Sequence, residues 1–323
     1  MVRLSVLDRS RVRAGHGHPE ALRDTVAFAR EVERLGYHRF WVSEHHGVPG
    51  VAGSAPTVLA AAVAAATSAI RVGTGGVMLP NHQPLVVAEQ FGVLESLFPG
   101  RVDMGLGRSV GFIEPVRRAL GHDKGDADEF GPKLTELLGY FTGDQAVRGY
   151  PAHGLRVAPF VLATGAGARV AAAHGVPLVI GGFRGEDAMV EAVAAYRARF
   201  RPSVWATEPY VVVSTTVAVA DTAEDAWRLL LPEAWAMAHS RTRGEFPPLS
   251  APDDVLAEPM TERERTRFEQ ALHGHVHGTP SEVAKALDAL VDRTAADEVL
   301  VTTSTYDRTA LLDSYRLLAD LYL

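Results

Sequence analysis

Glu44-His45-His46 places a carboxylate and two imidazoles in consecutive positions, just beyond the apolar run Arg39-Phe40-Trp41-Val42. Imidazole changes charge near neutral pH, so such a group can donate a hydrogen bond or pass a proton. The plainer alternative is a histidine that only satisfies its neighbours. A second cluster, Gly73-Thr74-Gly75-Gly76, closes the run Ile70-Arg71-Val72. Paired glycines let a flat ring lie against the main chain and can house a cis peptide between non-proline residues. A tight turn needs the same residues. The third cluster, Thr164-Gly165-Ala166-Gly167-Ala168-Arg169, opens a helical stretch. Main-chain amides at a helix N-terminus make an anion site, with phosphate as the natural guest. Neither this segment nor Gly105-Leu106-Gly107-Arg108-Ser109-Val110-Gly111 has the Gly-x-Gly-x-x-Gly spacing of a nicotinamide-binding turn. His273, His275 and His277 alternate beside glycines, and with no further ligands at compatible spacing no metal is expected there.

Strands must position these residues, because each cluster stands at the end of a short apolar run with helical sequence between runs. Strands are expected at 4–7, 39–42, 70–73, 102–104, 160–163, 177–180, 210–220 and 298–302. Stretches such as Val211-Val212-Val213 and Val299-Leu300-Val301 are continuously apolar, as in parallel strands buried on both faces. Between them, Leu22, Val26, Ala29 and Val32 repeat at helical spacing from Pro19 until Gly36, and further helices are expected near 56–68 and 84–98. Thr279-Pro280-Ser281-Glu282 is a capping box, and Leu311, Tyr315, Leu318 and Tyr322 mark an apolar stripe on a closing helix. Alternating strands and helices imply a parallel sheet, and eight strands point to closure. The expectation is an α/β fold, a single (β/α)8 TIM barrel over 1–323 in one domain, with its chemistry on the C-terminal strand ends. Two segments exceed short connections, 109–126 after strand four and 241–278 after strand seven, and are expected to act as lids or walls. Asp8, Phe112 and Phe183 are candidate pocket walls, whereas Trp205 and Phe246 fit wall or core equally.

Composition bounds the function classes. The 323 residues are 47% hydrophobic and 22% charged, enough apolar content for a large core. Net charge is -7, and Lys124, Lys133 and Lys285 are the only lysines, the arginines being spread thinly, so nothing forms the basic stripe of a nucleic-acid binder. The absence of cysteine excludes disulfides and thiolate metal sites and fits a reducing cytoplasm. Residues 1–8 reach Asp8 too early for a signal peptide, and the alanine-rich stretch 55–70 is too short and too interrupted to span a membrane.

Taken together, Trp41-Val42-Ser43-Glu44-His45-His46, Val72-Gly73-Thr74-Gly75-Gly76-Val77-Met78-Leu79-Pro80, Ala88-Glu89-Gln90 and Pro99-Gly100-Arg101-Val102-Asp103-Met104-Gly105-Leu106-Gly107-Arg108 resemble the bacterial luciferase-like family. The similarity is closest to its antibiotic-tailoring monooxygenases. It implies a barrel, commonly a homodimer, that uses reduced FMN with O2, or coenzyme F-420 without it. The resemblance gives Gly75-Gly76 the role of a cis bulge under the flavin ring. It makes His45 the catalytic histidine with Glu44 orienting the site, and Arg108 and Thr164 phosphate ligands. Relatives carry a serine-rich turn after strand five where this chain has Thr164, Gly165 and Gly167, so backbone amides and Arg108 must compensate, with Arg169 a candidate addition. What the resemblance implies is a flavin-dependent monooxygenase acting on a small organic molecule, supplied with reduced FMN by a separate flavin reductase. The alternatives are an F-420-dependent hydride-transfer enzyme on the same fold, and a barrel that has lost its coenzyme and serves as a binding subunit.

Overall fold

The computed structural model describes residues 2–111, 113–165, 167–182 and 185–323. Eight strands form its centre: β1 Arg3–Asp8, β2 Arg39–Val42, β3 Arg71–Thr74, β4 Val102–Gly107, β5 Ala158–Ala163, β6 Leu178–Gly181, β7 Val211–Thr215 and β8 Glu298–Val301. Each pairs in parallel with its neighbours in the sequence, and β1 pairs with both β2 and β8, so the sheet closes into a barrel. Val6 of β1 lies opposite Phe40 on one side and Val301 on the other. Helices cover the outside: α1 His18–Arg34, α2 Pro56–Ala66, α3 Pro84–Leu97, α4 Glu114–Ala119, α5 Phe130–Thr142, α6 Gly167–His174, α7 Glu186–Arg199, α8 Ala223–Arg243, α9 Pro252–Ala257, α10 Glu262–Leu272, α11 Pro280–Thr294 and α12 Arg308–Tyr322. Among the described residues, no helix is long and apolar enough to cross a membrane.

The expected apolar strands are the buried ones. Val211, Val212, Val213, Val299, Leu300 and Val301 are all fully buried. Within the barrel, Leu7, Trp41, Phe160, Val179, Val212 and Leu300 pack together. Beneath them, at the N-terminal strand ends, lies a closed charge network. Arg39 reaches Asp103 at 2.8 Å and Glu298 at 2.9 Å, while Arg71 reaches Asp103 at 2.6 Å. Trp41 Nε1 and Tyr210 Oη donate the remaining hydrogen bonds to Asp103 and Glu298. Gly105 lets β4 approach β3, since a Cβ there would stand 1.8 Å from the Thr74 carbonyl oxygen.

Three expectations need correction. The strand read through 220 leaves the barrel after Thr215, and Val217–Val219 pairs instead with Val276–Gly278 in a separate two-stranded sheet. The Val217 amide is drawn aside by Thr303 Oγ1 at 2.9 Å, and the apolar composition carries no mark of that change of partner. The long segments are not structureless: 109–126 contains α4, and 241–278 contains α9 and α10, with α10 opening on a Thr261/Glu264 capping box. Asp8 is absent from the main cavity wall. Its Oδ1 accepts from the Ser10 amide at 2.5 Å, beside a small void bordered by Arg308. Phe112 and Phe183 lie outside the described residues. Trp205 meets Phe141 edge-on at 6.0 Å, and Phe246 lies 4.3 Å beneath the Arg11 guanidinium.

Candidate functional site

A cavity of about 1600 Å³ opens across the C-terminal ends of β4 to β8. Arg108, just past β4, and Thr164, just past β5, both stand in its wall, and Lys124 joins them from the segment after β4. Arg108 is half-exposed and pairs with Asp128 at 3.1 Å. Thr164 is exposed. Gly165, Gly167, Gly75, Gly76, Glu44 and His45 are not part of this wall. Gly165 accepts from the Ala168 amide at 2.9 Å, which begins the turn into α6. Gly167 is a packing glycine as well, because a Cβ there would lie 2.9 Å from Ala163 Cβ. Arg169 is exposed and outside the wall.

The Gly75–Gly76 peptide is cis. The Gly75 amide donates to the Val42 carbonyl at 2.8 Å, and a Cβ on Gly76 would stand 2.7 Å from the Gly105 carbonyl oxygen, so the bend is flush against β4. Glu44 secures the chain just beyond this bend. Its Oε2 accepts from the Met78 amide at 2.8 Å, while Oε1 accepts from His46 Nε2 at 2.7 Å and His82 Nε2 at 2.8 Å. Burial alone would raise this carboxyl, but the His46 and His82 hydrogen bonds, the His82 charge and the Met78 amide bring it down to about 2. Glu44 is thus an ionised tie between the end of β2 and the residues after the glycines.

His45 differs from its neighbour His46. Its Nδ1 lies 3.2 Å from Ser43 Oγ, and its amide donates to the Gly53 carbonyl at 2.8 Å. Enclosure of the imidazole, then the positive charges of Arg9 and Arg11, push it down to about 4 against the opposing pull of Glu233 and Glu44. At neutral pH it is an uncharged imidazole, able to give or take one hydrogen bond on each nitrogen.

The charges acting on His45 form a group that the sequence reading missed. Glu233 of α8 lies 2.9 Å from Arg9 and 3.1 Å from Arg11. Burial raises the Glu233 carboxyl, yet Arg11, Arg9 and His45 leave it below its ordinary value. Arg9 and Glu233 both line the cavity. A signal for them existed. Arg9 and Arg11 come directly after the first apolar run, and Glu233 is the lone carboxylate in Leu229-Leu230-Leu231-Pro232-Glu233-Ala234-Trp235-Ala236, which calls for a buried partner. His273, His275 and His277 border the same cavity, with His275 Nε2 at 2.8 Å from the Ala271 carbonyl. Among the described residues no three His, Cys, Asp or Glu side chains group as a metal site.

The arrangement is a large cleft over strand ends, cationic along one rim, with a neutral imidazole beside the Arg9–Glu233 pair of its wall. Comparison with known proteins identifies the family. The family model for luciferase-like monooxygenases matches residues 2–298. A luciferase-like monooxygenase of Escherichia coli (strain K12) is 35% identical over 99% of this chain and 96% of its own. The solved structure of apo-MsnO8 superposes with a TM-score of 0.90 at 32% identity, covering 100% of this chain and 98% of that one. The oxygenating constituent of 3,6-diketocamphane monooxygenase from Pseudomonas putida, in complex with FMN, has the same fold at 18% identity, with a TM-score of 0.75 over 99% of this chain and 97% of that one.

Proposed function

The chain belongs to the luciferase-like monooxygenase family, and from that membership we propose that it uses reduced FMN and O2 to oxygenate a small organic molecule. The observation that carries this reading is that Arg108 and Thr164, from different strand ends, stand in the wall of one cavity. At about 1600 Å³ that cavity exceeds the size of ordinary ligand pockets, roughly 300–1,000 Å³, and has room for a coenzyme beside a substrate. Arg108 and Lys124 would meet the coenzyme phosphate, with Thr164 and the amides of Gly165 and Gly167 completing its seat. By family resemblance the ring would rest on the Gly75–Gly76 main chain, which lies outside the cavity wall and packs flush against β4 at Gly105. Bound reduced flavin supplies the electrons that activate oxygen.

The remaining roles belong to the chain's own residues. His45, neutral and enclosed, would give the hydrogen bond or the proton needed at the reacting centre. Glu44 would act as a positioning residue by holding Met78, and with it the glycine bend. The segments after β4 and α8 would keep water from the cleft. With no nicotinamide turn in the chain, a separate flavin reductase would deliver reduced FMN. We take 1–323 as one domain working in the cytoplasm as a homodimer. In support of pairing, α2 is apolar apart from Thr57, and Val58 on α2 and Val86, Val93 and Leu97 on α3 are exposed.

Titration with FMN, reduced FMN and reduced F-420, then turnover with and without O2, tests the proposal. Oxygen-dependent turnover with FMN supports it, with His45→Ala sparing flavin binding while lowering coupled turnover by roughly 10²–10⁴. Anaerobic turnover with the deazaflavin would replace it by hydride transfer. If no coenzyme binds below about 1 mM, both coenzyme readings fall.

A further inference from the structure

Arg9 is built into the cavity wall as a fixed cation. One guanidinium nitrogen faces Glu233 Oε1 at 2.9 Å, and the other donates to the Thr302 carbonyl at 2.9 Å and to Ser304 Oγ at 3.4 Å. Around it, Ser214, Thr215 and Thr216 at the end of β7, with Thr302 and Ser304 at the end of β8, give the wall a ledge of hydroxyls. In the order of the ring, β7, β8 and β1 are consecutive, and β4 and β5, which carry Arg108 and Thr164, lie beyond β6. The hydroxyl ledge is therefore a separate polar end of the cleft.

Its ion pairing is uneven. Arg9 and Arg11 share the one Glu233 carboxylate, and of the two arginines only Arg9 lines the cavity. His45 contributes no charge at neutral pH. Each Glu233 oxygen meets a different guanidinium, Oε1 facing Arg9 and Oε2 facing Arg11, so Arg9 holds only half of its counter-ion and an incoming anion can rival it. On the same face of α8, Leu230, Ala234 and Met237 flank Glu233 at helical spacing and line the cavity. An apolar track thus begins beside the cation.

Resting on the monooxygenase reading, we propose that the substrate is an organic anion, its carboxylate seated on Arg9 and the β7–β8 hydroxyls and its apolar body lying along α8. A charged head bound there is oriented, and one position of the body is then presented toward the side of the cleft next to His45. An amide or alcohol of the same shape would bring Arg9 no counter-charge.

Calorimetric titration of the purified protein with octanoate and with octanamide, each with and without saturating FMN, tests this. The acid is expected to bind about 10-fold more tightly than the amide, the difference a charge-assisted contact makes. Arg9→Gln should erase that preference. Glu233→Gln, which removes the rival carboxylate and keeps Arg9, should widen it, an effect that a merely structural role for Glu233 would not give. FMN affinity, monitored by fluorescence, should be unchanged in both variants. Equal binding of acid and amide, no octanoate binding by about 10 mM, or a preference that survives in R9Q would overturn the proposal. So would competition between octanoate and FMN, which would put the carboxylate at the phosphate end. If R9Q does not fold, the E233Q result decides. Octanoate preference without any flavin binding would sink the monooxygenase reading and leave the anion seat on Arg9 standing.

Discussion

Mild acid should loosen this protein through His45. The imidazole sits near 4 in the folded chain, against 6.5 for an unperturbed histidine. Above pH 6.5 it is neutral in both folded and unfolded states and costs nothing. As pH falls from 6.5 toward 4, the unfolded chain takes up a proton that the folded one refuses. Each pH unit in that window then removes about 1.4 kcal/mol, so the loss is about 2 kcal/mol at pH 5 and about 3 kcal/mol when complete. Burial also lowers His38 and His275, so they add to the slope in the same direction. Comparison with His45→Gln therefore isolates the one residue. Urea unfolding of both proteins at several pH values between about 7.5 and 4.5 supplies the assay, and the variant should lose markedly less stability across that range. Identical slopes, or a His45 ring proton titrating near its ordinary value by NMR, would refute the claim that Arg9, Arg11 and enclosure keep this imidazole neutral.

Other perturbations reach different layers of the molecule. Arg39→Met leaves Glu298 and half of Asp103 unmatched inside the barrel and should cost about 3–5 kcal/mol in chemical denaturation; a cost below about 1 kcal/mol would mean the network is idle. Gly105→Ala would drive a methyl to within 1.8 Å of the Thr74 carbonyl and should destabilise by more than about 3 kcal/mol or prevent soluble expression. Normal stability there would show that β3 and β4 can part. Glu44→Gln should cost about 1–3 kcal/mol, because three donors lose a charged acceptor. Since the Glu44 carboxyl is held at about 2, its contribution is present above the unfolded value of 4.5 and is lost as pH falls below it. The variant's acid limb under pH 4.5 should accordingly be flatter.

Much of this fold is legible in the sequence, for definite reasons. Parallel strands buried on both faces must be apolar throughout, so Val211-Val212-Val213 and Val299-Leu300-Val301 announce themselves, and the residues just beyond the strands announce the working face. Capping chemistry is equally local, and Thr279 and Glu282 form the box their spacing implies. The failures are instructive too. The helix α10 reads Glu-Arg-Glu-Arg-Thr-Arg-Phe-Glu-Gln-Ala-Leu, and apart from Phe268 and Glu264 it buries little, so its apolar period is weak. Its start is nevertheless written in Thr261 and Glu264. The partners of Glu44 are likewise not written beside it: successive side chains leave an extended chain in different directions, and this one turns to His46, His82 and Met78. Glu233, a lone carboxylate in an apolar stretch, signals a buried partner but not which one, because Arg9 and Arg11 stand more than two hundred residues away and no local pattern encodes such a pairing.

The two ends of the barrel hold similar charged groups to different effect. At the N-terminal end, Arg39 and Arg71 face Asp103 and Glu298, two charges against two, with further donors from Trp41 and Tyr210. Every charge there is matched and the cluster is closed, as expected for the face of such a barrel that serves stability. At the C-terminal end, Arg9 and Arg11 share one carboxylate and border a cavity. Two guanidinium groups sharing one carboxylate are under-satisfied beside the matched pairs of the other end, and Arg9 faces the cavity. A bound anion would give Arg9 a second partner, which is the argument that something negative belongs in that corner of the cleft.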